Sequence, residues 1–180
     1  MGEVFVKQLG VRVVIVVGLA ISIVLAAQSS AYASGTSVRG GGIVDGDLGT
    51  TSQLGFTASS SGGEFLCVMA GRSGGFPFGP WTSVAQMQVK GSVSGPVTVS
   101  GGVASFSGTA TVHVVGKTAA GDVLTATVPN VPYTSRQTAG GAGVAMHRLE
   151  VVLPGVGAMS FPSGLGAMAP LRSGHITIWQ

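Results

Sequence analysis

Beyond the first thirty-odd residues the chain alternates apolar and polar side chains in short runs. The clearest is Val103 to Val115. Ala104, Phe106, Ala110, Val112 and Val114 share one parity, interrupted only by Gly108, while Ser105, Ser107, Thr109, Thr111 and His113 take the other. Successive side chains leave a pleated strand on opposite sides, so this period of two predicts a strand with one face in a core and one in water. Val97 and Val99 lead into Ser100-Gly101-Gly102, which predicts a hairpin, because glycine reaches positive φ without steric cost. The same pattern predicts strands at Gln53–Ala58, Glu64–Ala70, Val84–Val93, Val123–Val128, Val144–Leu153 and His175–Trp179, with Ile43–Val44 opening the sheet. Turns are expected at Gly62-Gly63, Gly121-Asp122 and Gly140-Gly141, and Pro154 to Pro170 reads as a loop. No stretch has the period of a long amphipathic helix. About eight short strands with hairpin-length connections imply an all-β fold, a single antiparallel β-sandwich or small β-barrel.

The N-terminus carries a different pattern. Lys7 and Arg12 precede an uncharged apolar run, Val13 to Ala27, and Ala31-Tyr32-Ala33 stands before Ser34. A basic flank, an apolar stretch and an A-x-A site are the parts of a Sec-type signal peptide. The run is shorter than the roughly 20 apolar residues a membrane span needs. Residues 1–33 are therefore expected to be removed, leaving one all-β domain, 34–180, that is secreted and has no membrane span. No cysteine lies just after the apolar run to take a lipid, so no lipoprotein anchor is expected. Leu153-Pro154-Gly155-Val156-Gly157 lacks the threonine of a cell-wall sorting signal and reads as a loop.

Composition narrows the class. Charged residues are 8% and hydrophobic residues 45%, which argues against charged disorder, and the 31 glycines have no three-residue period, which excludes collagen. Without the leader, seven basic residues face five acidic ones, scattered along the chain. Nucleic-acid binders show a basic patch or stripe, so no nucleic-acid partner is expected. The single cysteine, Cys67, cannot form an internal disulfide. It lies in Glu64–Ala70, apolar on both strand faces, which predicts burial in a central strand covered on both sides. Charged guards for strand edges are sparse, so either the sheet closes on itself or its edges pair with neighbouring molecules.

Candidate chemistry is thin. Gly71-Arg72-Ser73-Gly74-Gly75 matches the nucleophile elbow, but Phe76-Pro77-Phe78-Gly79-Pro80 follows where that elbow needs a helix. His113, His147 and His175 lack the spacing that would aim two at one ion. His113 falls on a polar face, and His147 shares parity with Leu149, Val151 and Leu153, as a core or rim residue would. Asp45-Gly46-Asp47 opens like a calcium loop but lacks the later ligands. Asp45, Asp47, Glu64, Asp122 and Glu150 could pair as glycosidase carboxylates only if the fold brought two together. No metal or cofactor is called for. The most distinctive segment is Phe76-Pro77-Phe78-Gly79-Pro80-Trp81, in an expected loop. Phe76, Phe78 and Trp81 are the candidate binding residues, able to stack on sugar rings or an apolar partner. The competing expectation is a hydrophobic plug at one end of the fold.

Gly40-Gly41-Gly42-Ile43, Glu64-Phe65-Leu66-Cys67, Met87-Gln88-Val89-Lys90-Gly91, Phe106-Ser107-Gly108-Thr109-Ala110 and Ser173-Gly174-His175-Ile176-Thr177-Ile178 span most of the mature chain. In this cadence the chain resembles small secreted bacterial Gly-rich all-β proteins of uncharacterised function. The resemblance implies an exported all-β domain and no particular activity. The functional expectation is a non-catalytic domain that binds a glycan, envelope or protein partner through the aromatic segment. The alternatives are an extracellular hydrolase and a structural surface protein that self-associates through its strand edges.

Overall fold

The computed structural model describes residues 35–46, 50–78, 80–163 and 167–180, with backbone alone for 71–78. The expected signal peptide lies outside the described residues, which form one compact unit, Gly35–Gln180. The strands are β1 (Ser37–Asp45), β2 (Thr51–Ser59), β3 (Gly62–Phe78), β4 (Trp81–Val93), β5 (Thr98–Ser100), β6 (Val103–Thr118), β7 (Val123–Thr138), β8 (Gly140–Gly141), β9 (Met146–Leu153), β10 (Gly157–Phe161) and β11 (Ala169–Trp179). There is no helix among the described residues, and so none long and apolar enough to cross a membrane.

All pairings are antiparallel. The order runs β9-β7-β6-β4-β3-β2-β1-β11, and β11 returns to β9 through Ala169↔His147 and Pro170↔Met146. Eight strands thus close into a ring. Of the sandwich and the barrel, the chain forms the barrel. Closure answers most of the shortage of edge guards, because the strands joined round the ring leave edges only at short strands such as β10. The seam is narrow: β10 occupies another part of the β9 edge, from Gly157↔Leu153 to Phe161↔Leu149. β8 lies against the far side of β11 at His175 and Ile176.

The core fills the ring. On β6 the apolar parity points inward, so Ala104, Phe106, Ala110, Val112 and Val114 are all buried. Phe65 is its centre, 5.0 Å from the Tyr133 ring, 6.1 Å from Phe106 and 6.4 Å from His147. The break at Gly108 has a steric reason. A Cβ on Gly91 would stand 2.7 Å from Tyr133 Cε1, and one on Gly108 would strike the Ser92 carbonyl. Two glycines therefore clear the space that the Tyr133 ring fills.

Several strands differ from the sequence pattern. Over Glu64–Ala70, β3 is buried on one side only: Cys67 is buried, as expected, but Leu66 on the opposite face is 38% exposed. A single-layered barrel has water on its outside, so a run apolar on both faces does not require cover on both. Pro154 to Pro170, expected as a loop, contains β10 and the start of β11, and Gly140-Gly141, expected as a turn, pairs with β11.

Candidate functional site

By register, Asp45 on β1, Thr51 on β2, Ala70 on β3 and Gln86 on β4 are successive cross-strand neighbours at one end of the barrel. β3 and β4 continue past this level and pair with one another as far as Phe78↔Trp81. The end of β6 and the start of β7 accompany them, with Trp81↔Thr118 and Lys117↔Val123. Four strands thus form a tongue beside the barrel mouth. Register shifts between Ala70 and Ser73 in β3, and between Val84 and Gln86 in β4, mark where the barrel gives way to the tongue. Such bulges bend a strand and re-aim its side chains.

The aromatic segment expected as a loop is the tip of this tongue. Trp81 is 5% exposed and belongs to the core cluster. Its Nε1–H donates to the Leu124 carbonyl at 2.8 Å, and a Cβ on Gly116 would come within 2.6 Å of its ring. Trp81 thus fastens β4 to β6 and β7 in the manner of the plug, rather than offering a free stacking face. The side chains of Phe76 and Phe78 lie outside the described residues. On the tongue, Val123 is 68% exposed and Leu124 38%.

Inside the mouth is a cavity of about 40 Å³. Its walls come from Val44, Ser52, Cys67, Met69, Val84 and Met87, with His147 and Phe161, and its rim from Asp45, Gly46, Thr50, Ala85, Gln86 and Pro162. The walls are apolar because these positions share the inward parity of β1 to β4. At the rim Asp45 is tied to Arg172, Nη1 to Oδ1 at 3.0 Å, and the Gly46 N–H donates to the Thr50 carbonyl.

His147 stands at the seam, paired in register with Gln137 on β7 and Ala169 on β11. Gln137 Nε2 donates to Ser135 Oγ at 2.7 Å and lies 3.3 Å from His147 Nδ1, while Gln137 Oε1 has no partner among the described residues. The opposite amide orientation would strand two N–H donors instead of one acceptor, so this one is favoured. His147 Nδ1 is then the acceptor, and the imidazole carries its proton on Nε2. Ser135 Oγ donates onward to the Arg148 carbonyl at 3.5 Å. Burial pushes the His147 pKa down to about 4, so the ring is neutral at physiological pH. Burial likewise pushes the Cys67 thiol up to about 12, against a smaller opposing effect of the hydrogen bond from Ser52, so it is a wall and not a nucleophile. On the outer face of β9, Arg148 Nε donates to Glu150 Oε1 at 2.8 Å, and its Nη1 to the Ala167 carbonyl at 2.8 Å. Those bonds hold the connection before β11 against the seam.

Other sequence candidates are dispersed. Ser73 lies within β3, opposite Val84, and not at a strand-to-helix turn. His113 bonds Thr127 Oγ1 at 2.9 Å on the outer surface. Asp47 lies outside the described residues. Among the described residues no three His, Cys, Asp or Glu gather as metal ligands. The polar row Tyr133, Ser135 and Gln137 faces inward and was missed, because its flanking residues carry no apolar alternation. His147 was marked only by its parity. Comparison with protein-family models, curated proteins and solved structures found no match to this chain.

Proposed function

We propose that the protein is an exported, non-catalytic β-barrel domain that binds an extracellular partner, a glycan or another envelope component, at the barrel mouth. The observation that carries this reading is the mouth itself: an apolar cavity with one buried imidazole, a polar rim and a tongue beside it. Concave apolar sites with few, well-placed polar groups are the usual form of a binding pocket. The tongue brings the backbone of Phe76 and Phe78 to the same end as the cavity, which supports a partner that meets the tongue and the mouth together. Intact-mass analysis of the protein recovered from culture medium tests export, with a chain beginning at Ser34 expected. Retention of that protein on envelope fractions and immobilised glycans tests binding. A Gln86→Trp variant, which roofs the mouth from an exposed position, is expected to abolish retention; unchanged retention would place the binding surface elsewhere. A self-assembling role is the second reading, supported by β10, which among the described residues pairs with β9 alone. Sedimentation across a concentration series separates the two.

A further inference from the structure

The cavity is too small for a whole ligand. Its roughly 40 Å³ compares with the roughly 10–15 Å³ that one water needs on the same measure, so it holds an end group of a few heavy atoms while the rest lies across the rim. Two chemistries meet in that space. Val44, Val84, Met69 and Met87 offer an apolar wall, and His147, its Nδ1 occupied by Gln137, has only the Nε2–H edge left for a ligand. A methyl beside a carbonyl oxygen matches both. Among the described residues the only carboxylate at the cavity is Asp45, already engaged by Arg172, and the ring is neutral, so no described group inside compensates a buried charge. Asp45, Thr50 and Gln86 on the rim suit a polyhydroxylated body better than an apolar one.

Building on the mouth as the binding site, we propose that it takes the acetamido group of an N-acetylated amino sugar, its methyl on the apolar wall and its carbonyl oxygen on His147 Nε2–H. Gln137 and Ser135 are positioning residues, since they fix which nitrogen faces the ligand. Only hydrogen bonding and burial are involved, and no bond is made or broken.

The test is calorimetric titration of the full mature chain with a trimer of N-acetylglucosamine, the same trimer deacetylated, and an acetyl-lysine peptide. An isotope-labelled acetyl methyl followed by NMR adds a readout of where that group sits. The acetylated trimer is expected to bind and the deacetylated one to fail. The labelled methyl should shift as it comes beside the rings of His147 and Phe161. His147→Phe should bind roughly tenfold more weakly, the worth of one neutral hydrogen bond. Val84→Phe, which fills the seat without touching the polar chain, should abolish binding even if His147→Phe misfolds. Equal binding of both trimers, or an acetyl-lysine peptide bound as tightly as the sugar, overturns the proposal. So does an acetylated trimer that does not bind. If Gln86→Trp still blocks retention on envelope fractions in those cases, the mouth survives as the site and only the acetamido assignment falls.

Discussion

Acid should weaken this barrel through His147. In the unfolded chain an imidazole titrates near 6.5, whereas the buried His147 does so at about 4, because burial disfavours the charged form. Above pH 6.5 both states are neutral and this residue adds no slope. As the pH falls from 6.5 towards 4 the unfolded chain takes up a proton that the folded chain refuses, and stability declines; below 4 the loss levels off. At about 1.4 kcal/mol per unit the full gap is worth about 3 kcal/mol. For a chain of this size that is roughly 10 °C in Tm. Urea unfolding of the wild type and His147→Gln from about pH 7.5 to about pH 4.5 isolates the contribution, since acidic residues and the other histidines are common to both chains. The variant should be less stable near neutrality, and the gap should shrink or reverse as the solution is acidified. Two chains that lose stability in parallel across this range would refute the reasoning, because His147 would then be protonated in the folded state or reached by water.

Other expectations concern the interior. Gly108→Ala should destabilise the fold by about 1–3 kcal/mol, because the new methyl meets the Ser92 carbonyl and crowds Tyr133; an unchanged urea midpoint would contradict that packing. Tyr133→Phe should leave stability unchanged or raise it slightly, since its buried hydroxyl has no partner among the described residues; a loss above about 1 kcal/mol would reveal a bridging water. Cys67, buried, should resist a thiol reagent in the native protein and react once denaturant is added, and prompt native labelling would count against the closed wall. Trp81→Phe should cost about 0.5–1.5 kcal/mol for the lost bond to Leu124 and remove a blue-shifted component from the emission spectrum.

The fold class was legible in the sequence because a strand with one wet face writes a period of two. β6 shows this best, and the same rule places His147 in the core or at the rim. Only the last residues of β1 show in the pattern, because Gly40, Gly41 and Gly42 have no side chains to alternate. The second half of β7 was missed because its inward row, Tyr133, Ser135 and Gln137, is largely polar. β10 was lost in a stretch of Gly, Ala and Met. Closure is a matter of which strands meet, and Ala169↔His147 joins residues that no local pattern links. For the same reason the cavity was invisible: its walls are contributed by β1, β2, β3, β4 and β9, with Phe161 from β10. Trp81 could be recognised as distinctive, but not as the residue that bonds Leu124, forty-three positions away.

The pairing of the first strand with the last sets how the barrel can be held. Ser37 lies opposite Trp179, whereas Asp45 at the other end of β1 belongs to the mouth. β1 therefore starts, and β11 ends, at the end of the barrel remote from the cavity. A tether, affinity handle or surface linkage joined beside Ser37 or Trp179 would hold the barrel with its cavity end facing away from the support.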